Sequence, residues 1–260
     1  MRCREPRCYA RTMRSYLVFL LLLTVKLFSL LAYRVRLEWI GEEDDPWADL
    51  RVLALLNHTS LFEPILAGAA PNKLLWQIAA HGVIPVADKT MDRPVAGRFF
   101  NLVAHTVIPI TRERDDTWTL VLSRIHDRRA LVVILPEGRM MRPTGLDLHG
   151  RPMTVRGGIA DILSTVEDGR VLLVYSQGLH HIHAPGDRFP RLFKSVRLRA
   201  ETVDIPTYRD QMLATDGPAG FKRAVIEDLE RRRDAYCPPR PKSQGSHSTG
   251  SHSTNGDPAA

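Results

Sequence analysis

Short, mainly aliphatic runs recur along this chain at 51–56, 83–87, 106–111, 130–135, 171–176 and 193–204, and longer segments of mixed polarity separate them. Apolar runs of four to eight residues read as strands buried on both faces of a sheet. The segments at about 60–69, 94–104, 116–127, 156–166 and 219–236 carry helical spacing. Strands alternating with helices predict an α/β domain with a mostly parallel or mixed central sheet flanked by helices. Sheets of that kind carry their chemistry at the C-terminal ends of the strands. The residues just after each run are therefore the informative ones.

The run Val52-Leu53-Ala54-Leu55-Leu56 is followed at once by Asn57-His58-Thr59-Ser60-Leu61-Phe62-Glu63-Pro64. Thr59 or Ser60 is a plausible N-cap, which would put Glu63 in the first turns of a helix and within reach of His58. A neutral imidazole can remove the proton of an alcohol as that alcohol attacks an acyl carbon, and a carboxylate behind the ring fixes its tautomer. This is the logic of the hydrolytic triads, with the nucleophile supplied by the substrate. After the run ending at Ile110, Thr111-Arg112 places a guanidinium just outside a strand, suited to capturing a phosphate. After Ala130–Leu135 come Pro136-Glu137-Gly138-Arg139: the proline ends the strand, the glycine permits a tight turn, and Glu137 and Arg139 project at the sheet edge.

A length of 260 residues with 44% apolar content suits one sizeable domain. Ahead of it, Arg2, Arg4, Arg7, Arg11 and Arg14 precede an apolar segment from Tyr16 to Tyr33, broken by Lys26. About 18 residues is close to the minimum for crossing a bilayer as a helix. The segment ends in Ala32-Tyr33-Arg34, which is no small-x-small cleavage site, so a retained membrane anchor is expected. Basic residues on both flanks leave open whether it spans the bilayer or lies in one leaflet. The expected division is 1–36 as basic N-terminus and anchor, 37–237 as the α/β domain, and 238–260 as a disordered tail rich in Pro, Ser, His and Gly.

The net charge of +7 favours anionic partners. Nucleic acid is disfavoured, because the positive charge lies outside any groove-entering helix and an apolar N-terminus is an odd companion to it. Cys3, Cys8 and Cys237 have no metal or redox spacing and imply no disulfide framework. His180, His181 and His183 have no acidic or cysteine ligand nearby in the sequence, so no metal is expected there. Arg231-Arg232-Arg233 reads as the solvated end of a helix.

Taken together, residues 50–180 resemble the glycerolipid acyltransferase family, of the 1-acylglycerol-3-phosphate acyltransferase type. Asn57, His58 and Glu63 occupy its Asn-His-x4-acid motif, with Glu63 where most members have Asp. Lys89 and Pro94-Val95-Ala96-Gly97 resemble its Lys…Pro-x-x-Gly run, and Ile110-Thr111-Arg112 the end of its second motif. Pro136-Glu137-Gly138-Arg139 resembles its Pro-Glu-Gly-Thr motif, with Arg139 in the threonine position. Val155-Arg156-Gly157-Gly158 resembles the helix start that follows, whereas the strand Val171–Ser176 lacks the family's later proline.

The resemblance implies a membrane-associated O-acyltransferase, its catalytic domain on the cytoplasmic side, in phospholipid biosynthesis or remodelling. It implies an acyl-CoA or acyl carrier protein co-substrate, no bound cofactor or metal, and a lysophospholipid-like acceptor, lysophosphatidate first. His58 and Glu63 would be catalytic, and Asn57, Arg112, Glu137, Gly138 and Arg139 would bind substrate. Membrane lipids, and a carrier protein if that is the donor, would be its partners. The alternatives are a catalytically silent lipid-binding protein on the same fold and an acyltransferase for a non-glycerol lipid.

Overall fold

The computed structural model describes residues 6–87, 107–110, 116–142, 144–184 and 187–237. Arg112, Lys89, Pro94-Val95-Ala96-Gly97, the helix expected at 94–104 and the tail from 238 lie outside the described residues.

Among the described residues the domain is a mixed seven-stranded sheet flanked by helices. Its strands are β1 (Arg34–Trp39), β2 (Leu50–Leu56), β3 (Gly82–Ala87), β4 (Val107–Ile110), β5 (Leu131–Ile134), β6 (Arg170–Gln177) and β7 (Ser195–Asp204), in spatial order β1-β7-β6-β2-β5-β3-β4. Strands β6, β2, β5, β3 and β4 are mutually parallel, and β7 reverses against β6 and carries β1 parallel to itself. The helices are α1 (Pro6–Ala32), α2 (Asn72–His81), α3 (Asp116–Ile125), α4 (Gly158–Thr165), the short α5 (Leu179–Ile182) and α6 (Ile205–Tyr236), with a 3-10 helix at Glu63–Ala69.

The continuous apolar runs are the central strands: all of β2 is buried except half-buried Leu55, and β6 is buried from Val171 onward. Alternate residues feed two cores. Val52, Ala54, Leu56, Leu173 and Tyr175 face α3, α4 and α6. Leu50, Leu53, Leu172 and Val174 face the α1 side of the sheet.

Two expectations are corrected, and two elements were not expected. Strand β1, Arg34–Trp39, is one of the latter; its Arg-Val-Arg-Leu-Glu-Trp alternation is the period-2 signal of a half-buried edge. The helix expected at 60–69 is a 3-10 turn that begins at Glu63, and neither Thr59 nor Ser60 caps it. Pro64 at its start fixes the entry instead. The helix expected at 219–236 extends back to Ile205 across a break at Gly217, whose φ of 66° interrupts the helix before Pro218. Helix α2, after Pro71, had no counterpart in the sequence reading.

Helix α1 contains the stretch Thr12–Ala32, 21 residues long with mean hydropathy 2.1, long and apolar enough to cross a membrane. It is also docked on the domain. Ser29 Oγ donates to the Ile65 carbonyl at 2.7 Å. A Cβ on Gly68 would lie 2.4 Å from that same Oγ, so the close approach requires glycine. Lys26, the charge that breaks the apolar run, donates from Nζ to the Ala70 carbonyl and to Asn72 Oδ1, both at 2.8 Å. It thereby satisfies groups at the junction of the 3-10 helix and α2. The opposite side of α1 is bare, with Leu17, Leu20, Leu27, Leu30 and Leu31 exposed.

Candidate active site

The C-terminal ends of β2, β5 and β6 converge on one turn. Asn57 follows β2 with a φ of 66°, a left-handed conformation that asparagine tolerates better than most residues. Its side-chain amide donates to the Ser176 carbonyl at the end of β6, at 2.6 Å. The turn therefore hangs between two strands, and the next side chain, His58, is aimed by it.

His58 Nδ1 lies 2.7 Å from Glu63 Oε1, and both side chains are about nine-tenths buried. The expected pairing thus exists, but the 3-10 helix brings the carboxylate round. Ser60 is wholly buried; its hydroxyl donates to the His183 carbonyl and accepts from the Phe62 N–H, which tightens the loop between His58 and Glu63.

Glu137 is only 2% exposed. Its two carboxylate oxygens accept from the backbone N–H of Asn57 at 3.2 Å and of His58 at 2.7 Å. The Met141 N–H donates back to the His58 carbonyl at 2.7 Å, so the two strand-end turns clasp each other. Gly138 sits at a φ of 59°, and a Cβ there would make only ordinary contact with Arg156, so its backbone conformation rather than space calls for glycine. Arg139 pairs with Asp147 at 2.6 Å. The backbone N–H groups of Arg151 and His149, with the Arg139 guanidinium, hold the Asp147 carboxyl below the usual aspartate range.

The expected residues divide between two cavities. His58, Glu63, Gly138 and Arg139 line a cavity of about 690 Å³ that extends to Val18 and Leu22 of α1, and Arg156 and Lys222 add cations to its wall. Most of its other lining is aliphatic, from the α1 side of the sheet. Asn57 and Glu137 instead line a second space of about 440 Å³ behind the turn, with Gln177, Arg233 and Cys237. The Glu137 carboxylate therefore faces the backbone of the histidine turn and not the larger cavity.

Sequence reasoning missed two contributors. Arg233 is not solvated: its Nη1 lies 3.2 Å from Glu137 Oε1 and donates to the Met153 carbonyl at 3.1 Å. Burial pulls its pKa down, but the Asp234 hydrogen bond and the Glu137 charge outweigh this and raise it. Arg232 is likewise turned inward, bridging Asp228 and Glu201, and of the triplet only Arg231 is largely exposed. The second is Lys222, which sits beside Gly157 at the start of α4 and pairs with Asp161 at 2.8 Å. Neither carries a sequence signal, since a charge on a helix looks the same whichever way the helix faces. His180 and His181 lie in α5, and His183 stacks on Phe62 with ring centroids 4.8 Å apart.

No family model matches the chain, and no curated protein matches it at a significant level. Among solved structures it is similar to the 1-acyl-sn-glycerophosphate (LPA) acyltransferase PlsC from Thermotoga maritima. The two chains share a fold. The TM-score is 0.54 over 92% of this chain and 86% of that one, at 17% sequence identity.

Proposed function

We propose that this protein is a membrane-associated O-acyltransferase that moves a fatty acyl group from a thioester to the hydroxyl of a lysophospholipid-like acceptor, lysophosphatidate first. The observation that carries the reading is the 2.7 Å contact of His58 Nδ1 with Glu63 inside a largely apolar cavity. The fold shared with an acyltransferase supports it. So does the agreement of Asn57, His58, Glu63, Glu137 and Gly138 with that family's motifs.

With Nδ1 held by Glu63, His58 Nε2 takes the proton of the acceptor hydroxyl as its oxygen attacks the thioester carbon. The new C–O bond forms, the C–S bond breaks, and the imidazolium returns the proton to the departing thiolate. Glu63 stabilises the imidazolium between the two steps. The aliphatic walls receive the acyl chain, and Arg139, Arg156 and Lys222, with Arg139 paired to Asp147 and Lys222 to Asp161, offer N–H donors to an anionic headgroup; the resemblance assigns Arg112 to the same headgroup. The donor is acyl-CoA or acyl carrier protein, and the chemistry requires no metal or bound cofactor.

The bare face of α1 suits the same reading, since acceptor and product reside in a bilayer. The docking of α1 on the domain through Lys26 and Ser29 supports a helix lying along one leaflet, with Leu17, Leu20 and Leu31 in the lipid, over one that crosses the bilayer. The cytoplasmic side for the catalytic domain is part of the same proposal and is carried over from the family resemblance.

Purified protein mixed with long-chain acyl-CoA and lysophosphatidate is expected to release free thiol. His58→Ala should abolish the release while the far-UV circular dichroism stays unchanged. Undiminished transfer by that variant removes His58 from the mechanism, and lysolipid binding without thioester consumption by the wild type points to a silent lipid-binding protein.

A further inference from the structure

The segment 187–194, Asp-Arg-Phe-Pro-Arg-Leu-Phe-Lys, precedes β7 and exposes more apolar surface than a connecting loop needs. Phe189 is 70% exposed, Phe193 78% and Leu192 46%. Single exposed apolar residues are ordinary, but a cluster of large ones marks a contact. Phe193 is moreover held at a φ of 60°, which is unfavourable for a bulky side chain.

The loop is fastened to the end of α1. The Phe193 N–H donates to the Ala32 carbonyl at 2.7 Å, and the Arg34 N–H donates to the Lys194 carbonyl at 3.0 Å. The exposed residues of the last turns of α1, Leu27, Phe28, Leu30 and Leu31, immediately precede that junction. Cations interleave with the aromatics: Arg188 lies 5.5 Å from the Phe189 ring centroid, and Arg191 and Lys194 follow. The one acid of the segment, Asp187, is taken up by Arg191 and by the Ala184 N–H.

We propose that the 187–194 loop is a second membrane contact, in which Phe189 and Phe193 enter the interface of an anionic bilayer while Arg188, Arg191 and Lys194 meet lipid phosphates. Aromatic rings favour the headgroup level, and basic side chains are drawn to anionic lipid. A single helix lying in a leaflet fixes depth but leaves the domain free to roll about the helix axis. A contact fastened to one end of that helix removes the roll and gives the cavity mouth a fixed direction. The proposal rests on the reading that the bare face of α1 lies in lipid.

The test uses the full chain with Cys3, Cys8 and Cys237 replaced by serine, a single cysteine introduced as Phe189→Cys, and an environment-sensitive NBD label on it. A parallel chain carries the label through Leu20→Cys on α1. Position 189 is largely exposed, so the label leaves the core intact. On vesicles of phosphatidylcholine and phosphatidylglycerol in equal parts, the emission at 189 is expected to shift to the blue and to be quenched by spin-labelled lipid. The shift should shrink on pure phosphatidylcholine and in the Arg188→Gln/Arg191→Gln/Lys194→Gln background. A label at 189 that stays in water while the label at 20 is buried overturns the proposal and leaves the membrane reading of α1 standing. If both stay in water, the reading of α1 falls as well. A shift that needs no vesicles and grows with protein concentration overturns the proposal by assigning the loop to a second copy of the chain.

Discussion

The contact between His58 and Glu63 is made by a carboxylate one methylene longer than aspartate, launched from the first residue of a 3-10 helix. Shortening it draws the oxygen back by about one C–C bond, roughly 1.5 Å. Glu63→Asp is therefore expected to lower kcat, and Glu63→Gln, which keeps the length and removes the charge, by about 10²- to 10⁴-fold, read from initial rates of thiol release. If Glu63→Gln matches the wild type, the carboxylate does not orient the base. Behind the turn, Arg233 compensates a Glu137 carboxylate that is almost wholly enclosed. Arg233→Met would leave that charge without its guanidinium and is expected to lower stability by about 3–5 kcal/mol in urea unfolding. In whatever remains folded, kcat should fall more than KM rises, because the loss falls on the backbone that aims His58. Arg233→Lys should recover part of both. The motif residues Asn57, His58, Glu63, Glu137 and Gly138 were legible in the sequence because each follows a strand. Their division into one set facing the large cavity and another facing the backbone was not, since that depends on which way each turn rotates.

At the scale of elements, the central strands were legible because strands buried on both faces have no choice but to be apolar throughout. Strand β1 was hidden by its neighbourhood: its alternating pattern begins two residues after the last residue of α1, so the arginines read as the flank of an anchor. The first half of α6 was hidden by polarity and by the Gly217 break. What starts that helix is Asp204, whose carboxylate accepts from the Thr207 N–H at 2.9 Å and from its hydroxyl. Asp204→Ala should cost about 1 kcal/mol, measured as a shift in the urea midpoint. The side-chain and then the backbone hydrogen bond from Thr207 hold the Asp204 pKa below its ordinary value. A lowered pKa means that the contribution is complete above the ordinary aspartate range and is lost as pH falls through the folded value. The difference between wild type and Asp204→Ala should accordingly vanish in acid and be unchanged between neutral and mildly alkaline pH. Farther along, α6 is fixed to the sheet by a buried network. The Tyr175 hydroxyl donates to Glu201 at 2.6 Å, Arg232 bridges Glu201 and Asp228, and the Tyr208 hydroxyl donates to Asp228 at 2.8 Å. Burial first, and then the neighbouring carboxylates, push both tyrosines well above their ordinary range, so the network stays uncharged at the phenols.

Over the whole molecule, the layers meet around one cavity: α1 supplies one wall, the sheet another, and the start of α4 with Lys222 of α6 the cationic part. On the proposed function, the wall that belongs to α1 would touch the acyl chain. Leu22→Trp, which adds bulk on that wall, is expected to shift donor preference toward shorter acyl chains. Comparing kcat/KM for thioesters of increasing chain length checks it, and an unchanged profile would place the acyl chain elsewhere.

The sequence by itself determined the α/β class, the order of the central strands along the chain, the long apolar helix, and the residues that follow β2 and β5. These are local matters of apolar periodicity and turn chemistry, and local patterns survive without a fold. Only the tertiary structure decided that Lys26 is a docking group rather than a break, that the arginines at 232 and 233 point inward, and that Glu137 serves the backbone of the histidine turn. A charge has no orientation in a sequence. It acquires one when packing decides which of its neighbours can reach it and whether water can.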